Sequence, residues 1–297
     1  MSPVAAAVSS AVTSPPNLCE AWAIFLAERS ISLCPTSLST DYRQVSNWLA
    51  RCPVQELSQG RQVLVWLLQQ RPIKSARRVT MYVRSLYRWA SAEDVALLPA
   101  NPVVNFRMPK APQQSHEITV IPRHELPLVL AALEYGRHSG NANWSLYAEF
   151  MLQTAMRTGE VRAMRWSDIK DKQVLVHSNY TLTHGLKDST KTNKQRRVPL
   201  NSRALEIIDQ LPSSADYLFP WNRYSFQSFF NQRMRELHSV GLIDQRYRPY
   251  DLRHVAISRW LEAGIPVAQA AQWAGNTSEV IWKHYASNTT DYEIPVL

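Results

Sequence analysis

The chain has 297 residues, of which 45% are hydrophobic and 10% aromatic, so it can bury the cores of about two domains. Its net charge of +9 favours a polyanionic partner, because Lys and Arg side chains that neutralise phosphates release counterions. No apolar stretch reaches the roughly 20 residues of a membrane-spanning helix, no glycine-rich phosphate loop occurs, and the three cysteines lack C-x-x-C spacing. A membrane anchor, a nucleotide-binding loop and a zinc or other metal site are therefore not expected, and free thiols suit a reducing, cytoplasmic compartment.

Helix-breaking residues and the spacing of apolar residues predict a leader and three helices in the first 70 residues. Residues 1–16 are rich in Ala, Ser, Val and Pro, which predicts a disordered leader without the basic start of a secretory signal. Thr36 or Ser37 is the predicted cap of the second of three helices. The three predicted helices cover residues 18–28, 37–49 and 58–70.

The next segment contains no acidic residue between positions 57 and 92. Its apolar side chains recur at helical spacing and form one stripe, made of Val79, Tyr82, Val83, Leu86, Trp89 and Ala90. A solvated helix face is the ordinary interpretation of a basic run, but this many uncompensated cations favour contact with phosphates. The predicted DNA contacts of this segment are Arg71, Lys74, Arg77, Arg78, Arg84 and Arg88.

Prolines punctuate residues 101–117, which predicts a linker whose Arg107 and Lys110 cross a DNA backbone. Helical patterns follow from residue 118, a short sheet is predicted near 173–200, and further helices continue to residue 287. This order predicts a second, α-rich α+β domain over 118–287. The predicted fold class is therefore mainly α with a small β-sheet.

Four residues of the second domain occupy contexts suited to reaction at a phosphodiester. Arg157 lies at a Thr-Gly interruption of a helical pattern, and Arg253 follows a Pro-Tyr-Asp helix start. Lys191 lies in a turn-like Thr-Lys-Thr-Asn-Lys segment, which predicts the tip and second strand of a β-hairpin. Tyr285 ends a helical pattern close to the C-terminus.

These residue types form a consistent chemical set. Two guanidiniums can clamp the charge that develops on the nonbridging oxygens of a phosphodiester under attack. A tyrosine hydroxyl can hold the phosphate as a covalent ester that conserves the energy of the broken bond, so no ATP is required. A lysine on a hairpin can protonate the leaving 5′-hydroxyl.

The motifs TAMRTGE, TKTNKQRRVPL, YDLRH and WAGNTSEVIWKHY together resemble those of tyrosine recombinases of the phage integrase and Xer type, over residues 17–287. The resemblance implies that Arg157, Lys191 and Arg253 serve catalysis, with Tyr285 as the nucleophile that forms a 3′-phosphotyrosine. It makes Glu160 a salt-bridge partner of the first arginine. In the strand after the hairpin tip, it places DNA contacts at Lys194 and Arg196.

The resemblance also implies an architecture and partners. A helical, SAM-like core-binding domain over 17–100 and a catalytic domain over 118–287 form a C-shaped clamp on double-stranded DNA with an inverted-repeat core site. No cofactor is expected, and no arm-site binding domain precedes residue 17. A homo-tetramer exchanges strands on the DNA, the tail 288–297 docks onto a neighbouring protomer, and an accessory factor sets direction.

Two positions depart from the family pattern. Tyr250 stands where the family usually has the histidine of its H-x-x-R box, and Asn276 stands where it usually has His or Trp. Neither side chain is a general base near pH 7, although both can donate a hydrogen bond to phosphate and stay in the expected catalytic set. We expect His254 and His284, which adjoin the catalytic set, to pack or hydrogen-bond structurally. An active enzyme is favoured because nucleophile, arginines and lysine are retained. A non-catalytic DNA-binding relative and a type IB topoisomerase-like enzyme remain alternatives.

Overall fold

A computed structural model of the chain describes residues 16–70, 72–110, 118–134, 143–181, 184–188, 194–213, 215–220 and 225–285. The chain divides into two compact units, Met1–Gln114 and Ser115–Leu297. Helices dominate both described parts and strands occur only within 169–199, which confirms the predicted fold class. None of the described helices is both long and apolar enough to cross a membrane. Residues 1–15 of the predicted leader and the whole tail 288–297 lie outside the described residues. The finer domain limits stay predictions.

Unit 1 is built from helices. Asn17 caps the first of them reciprocally with Glu20, each side chain accepting from the other residue's N–H. Pro35 occupies the first position of the second helix, so Thr36 and Ser37 lie inside it and the predicted cap there is wrong. The helices are α1 (Leu18–Ser30), α2 (Pro35–Ser37), a π-helical turn (Leu38–Tyr42), α3 (Arg43–Leu49), a 3₁₀ turn (Leu57–Gln59), α4 (Gly60–Gln69) and α5 (Ile73–Ala90).

The apolar stripe of α5 forms part of the core of unit 1, since Val79, Val83 and Leu86 are fully or almost fully buried. The first half of the predicted linker packs against the same core. Val103 is buried in it, and Nη1 of Arg77 donates to the carbonyl of Pro109 at 2.9 Å. Residues 101–110 therefore belong structurally to unit 1.

Unit 2 surrounds a small sheet with helices. The strands are β1 (Ile169–Lys170), β2 (Gln173–Val176), β3 (Asn179–Thr181), β4 (Gly185–Lys187) and β5 (Arg196–Pro199). Strands β1, β2 and β5 form one antiparallel sheet in that order, and β3 and β4 form a separate antiparallel pair. The strand predicted after the hairpin tip is β5, and it pairs with β2. The pair of β3 and β4 lies between β2 and β5 in the sequence but not in the sheet.

The helices of unit 2 are α6 (Leu126–Ala132), α7 (Trp144–Thr154), α8 (Thr158–Ala163), α9 (Ser202–Asp209), α10 (Phe226–Ser239), α11 (Pro249–Glu262), α12 (Val267–Ala274) and α13 (Ser278–Tyr285). The larger of two apolar cores fills the space around α7. The smaller core joins α11, α12 and α13, and many of its residues are alanines. Small side chains permit close approach of the three backbones. The end of α13 is thereby held beside α11.

Candidate active site

Helix α11 carries the most deeply buried charge of the site. The helix begins at Pro249, where the carboxylate of Asp251 accepts the N–H of Arg248 at 2.7 Å. One turn further, Arg253 is fully buried. Burial, together with the nearby charge of Arg157, lowers the pKa of Arg253 to about 10, so its guanidinium is still protonated at neutral pH.

Backbone carbonyls hold that guanidinium. Nη1 of Arg253 donates to the carbonyl of Ala155, and Nη2 donates to the carbonyl of Ala274 at 2.7 Å. Ala155 follows α7 in the left-handed region at φ +49°, a strained conformation for a residue other than glycine. The buried Nε has no hydrogen-bond partner among the described residues, so one donor of Arg253 stays available.

Arg157 approaches the same place from the start of α8. Its backbone N–H donates to one carboxylate oxygen of Glu160 at 2.9 Å, and its Nη1 donates to the other at 2.8 Å. Its Nη2 lies 3.2 Å from both the carbonyl of Gly275 and Oδ1 of Asn276. The guanidinium is therefore fixed from two sides, by Glu160 on one and by Gly275 and Asn276 on the other.

Glu160 has a second, stronger partner, which corrects one prediction. Arg196, expected to contact DNA, is buried, and its Nη1 and Nη2 donate to the two carboxylate oxygens of Glu160 at 3.1 and 2.7 Å. Its Nε donates to the carbonyl of Trp273 at 2.7 Å. Burial favours the neutral carboxyl, but the charges and hydrogen bonds of Arg196 and Arg157 outweigh it and lower the pKa of Glu160 to about 2.

Strand parity explains the error. Side chains alternate between the faces of a strand, and Val198 on β5 is buried, so Arg196 shares its face while Arg197 lies on the exposed one. The apolar Val198 at the end of the motif TKTNKQRRVPL indicated in the sequence which face of the strand is buried. Gly275 completes the arrangement, because a Cβ there would lie 3.0 Å from Nη1 of Arg196.

Asn276 connects the two site arginines. Its Oδ1 accepts from Nη2 of Arg157 at 3.2 Å and from Nη2 of Arg253 at 3.1 Å. Both partners are obligate donors, so the side-chain oxygen, and not the amide nitrogen, faces them. One oxygen atom thus occupies the point on which both guanidiniums converge.

Tyr285 lies at the end of α13, only 2% exposed. Its hydroxyl lies 2.6 Å from Nδ1 of His254, whereas the sequence predicted only a structural role for that histidine. Burial raises the pKa of Tyr285, an effect that the charge of Arg253 partly offsets. Tyr250, which is 43% exposed, packs its ring nearly perpendicular to that of His254 with the centroids 5.0 Å apart.

Several predicted site residues lie elsewhere or outside the described structure. Lys191 and Arg71 lie outside the described residues, as does the side chain of Lys74. Lys194 is exposed just before β5. On α5 and the following segment, the remaining predicted DNA contacts are exposed or half-buried and lie in unit 1: Arg77, Arg78, Arg84, Arg88, Arg107 and Lys110.

The chain is similar to proteins of known family. A segment of 158 residues is 31% identical to a shufflon-specific DNA recombinase of Escherichia coli, covering 50% of this chain and 36% of that protein. A segment of 222 residues is 23% identical to tyrosine recombinase XerC of Chlamydia trachomatis, covering 69% of this chain and 64% of that protein. The chain thus spans about a third of the length of the shufflon-specific recombinase and just under two thirds of the length of XerC.

The fold is likewise shared. A solved structure of a lambda integrase dimer bound to a COC′ core site superposes with a TM-score of 0.71 at 17% identity, covering 100% of this chain and 85% of that chain. The model of the family described as "Phage integrase family" matches residues 119–291, which include all of α6–α13. Since that match spans more than half of the sequence, the chain belongs to the phage integrase family.

Proposed function

We propose that the protein is a site-specific DNA recombinase that cleaves DNA through Tyr285 and rejoins it without ATP. One observation carries the proposal: the guanidiniums of Arg157 and Arg253 converge on a single oxygen, Oδ1 of Asn276, two residues before the helix that ends in Tyr285. That oxygen marks the position of a nonbridging phosphate oxygen. In the complex, the phosphate replaces the amide oxygen and Asn276 turns its amide donor toward it.

The cation pair then stabilises the transition state. In-line attack by the Tyr285 hydroxyl places extra charge on the nonbridging oxygens, where two fixed guanidiniums act without reorganising. The unpartnered Nε of Arg253 supplies a further donor. Glu160 and Arg196 position Arg157 and do not touch the DNA. Lys191 is the proposed acid for the leaving 5′-hydroxyl.

The proposed substrate is double-stranded DNA with an inverted-repeat core site. Arg84 and Arg88 of α5 contact its phosphates, since the described helix carries no acidic residue and neither side chain forms a salt bridge among the described residues, whereas Arg78 pairs with Asp41. The chain shares its fold with lambda integrase, which has been solved as a dimer on a core site and as a tetramer on a Holliday junction. We further propose a tetramer on DNA, docking of the tail 288–297 onto a neighbour, and an accessory factor that sets direction.

The experiment first finds the DNA and then tests the chemistry. The Tyr285→Phe variant, which keeps the buried ring, selects duplexes from a randomised library. A nicked duplex with the enriched site is then incubated with wild type, and a denaturant-resistant protein–DNA adduct is sought. We expect the adduct with wild type and none with Tyr285→Phe.

Two results would overturn the proposal. Failure to enrich any duplex would remove the DNA substrate. Enrichment and tight binding without an adduct, where a known recombinase reacts on its own nicked site, would establish the non-catalytic DNA-binding relative instead.

A further inference from the structure

His254 contacts the hydroxyl group of Tyr285, the proposed nucleophile. Its Nδ1 lies 2.6 Å from the hydroxyl of Tyr285, within the range of a strong hydrogen bond, and the two rings pack with centroids 5.7 Å apart. His254 follows Arg253 directly on α11, and Tyr285 ends α13. The small core of alanines that joins these helices fixes the pair across 31 residues of sequence.

We propose that His254 is the general base that accepts the hydroxyl proton of Tyr285 when the tyrosine attacks phosphate. This inference rests on the proposed function and names a catalytic residue that the family pattern does not place there. The histidine position of the H-x-x-R box is Tyr250 in this chain, and the base is supplied four residues later on the same helix.

The step balances without another reactant. The proton of Tyr285 passes to Nδ1 of His254, which requires the tautomer with its proton on Nε2. The phenolic oxygen forms a bond to phosphorus, and the bond from phosphorus to the 5′-oxygen breaks. That oxygen takes a proton from the acid, proposed as Lys191. In rejoining, the protonated His254 returns its proton to the departing Tyr285.

The groups around His254 keep it in the unprotonated form that a proton acceptor requires. Burial is the largest effect and lowers its pKa to about 4, while Asp251 on the same helix acts in the opposite direction. Arg253 on α11, Arg248 just before that helix, and His284 on α13 lower the pKa further. The imidazole is therefore neutral throughout the physiological range.

Neither of the two residues that differ from the family pattern, Asn276 and Tyr250, can act as the general base. Asn276 directs its oxygen at two guanidiniums and carries no basic nitrogen. Tyr250 is a phenol without a basic nitrogen, and its ring packs nearly perpendicular to that of His254. The neutral imidazole of His254 is the acceptor that the hydroxyl of Tyr285 actually contacts.

The test measures single-turnover formation of the covalent adduct on the nicked duplex selected with Tyr285→Phe. We expect His254→Gln to slow it by about 10²–10⁴-fold, the usual contribution of a general base. His284→Gln, which changes the neighbouring histidine, is the matched control and should react within about threefold of wild type. Melting temperatures of both variants show that each is folded.

Three readouts separate proton acceptance from packing. Imidazole added to His254→Ala should restore part of the rate. The rate of wild type should be level between about pH 6 and 8, where a base with its pKa near 4 is already neutral, whereas that of His254→Ala should rise with pH as hydroxide replaces it. A duplex with sulfur in place of the 5′-bridging oxygen, which leaves without a proton, should rescue Lys191→Ala and not His254→Ala.

The failures are distinguishable. Absence of an adduct with wild type overturns the proposed function itself. A wild-type adduct with an unchanged rate in His254→Gln overturns the inference and leaves the histidine as packing. A faster rate in His254→Gln also overturns it, because the histidine would then restrain the hydroxyl in the free protein.

Discussion

The arginines of α5 and those of the candidate active site have the same chemistry and opposite surroundings. On α5, Arg84 and Arg88 keep access to solvent and form no salt bridge among the described residues. In the site, Arg196 and Arg253 are buried and their guanidiniums hold carboxylate or carbonyl oxygens. An exposed cation gains its free energy from the partner's phosphates, whereas a buried one first needs internal acceptors. Counting basic residues therefore locates a surface and does not locate a site.

The largest expected effect follows from the buried pair of Glu160 and Arg196. Removing Arg196 leaves the buried carboxylate of Glu160 with Arg157 as its one charged partner among the described residues, so Arg196→Ala should lower the free energy of unfolding by about 3 kcal/mol, the lower end for a broken buried pair. Urea denaturation, followed through the transition of unit 2, measures it. The matched control is Arg197→Ala on the exposed face of the same strand, expected within about 0.5 kcal/mol of wild type. Unchanged stability with weakened DNA binding in Arg196→Ala would return Arg196 to the DNA surface.

The next effect concerns chemistry. Arg253→Lys keeps the charge but loses the fork that reaches two carbonyls and the phosphate, so adduct formation should slow by about 10²–10³-fold, the usual cost of one transition-state donor. Single-turnover kinetics on the selected nicked duplex measure the rate. DNA affinity should change by less than tenfold, because ground-state binding is spread over many phosphate contacts. An equal loss of affinity and rate would mean that Arg253 only binds DNA.

Substitution of the α5 arginines should change the salt dependence of DNA binding. In Arg84→Ala/Arg88→Ala the slope of log K against log salt should fall by about 1.8, close to 0.9 for each lost phosphate contact. Fluorescence anisotropy over a salt series measures the slope, and the melting temperature should stay unchanged. The control Arg29→Ala/Arg235→Ala also removes two exposed positive charges, from places not expected to touch DNA. Equal slopes in the two double variants would leave α5 with no special role.

Local signals were enough to predict much of the fold and part of the site. The start of α11, with proline and a capping aspartate, and the apolar stripe of α5 depend on neighbours in sequence and are confirmed. The burial of Arg196 was readable from the parity of Val198, and the prediction overlooked it. The contact of His254 with Tyr285 was not readable, because it depends on how three helices pack through alanines.

The smallest expected effect returns to the departures from the family pattern. Tyr250→His restores the box histidine next to Arg253, yet we expect adduct formation to change by less than about threefold, because the hydroxyl of Tyr285 already contacts His254. The exposed position of Tyr250 leaves room for an imidazole without repacking the small core. Single-turnover rates of Tyr250→His, and of Tyr250→His combined with His254→Gln, measure whether the new ring takes over. A large acceleration in the single variant would mean that the native site lacks a working base, and a rescued double variant would show that either position on α11 can supply it.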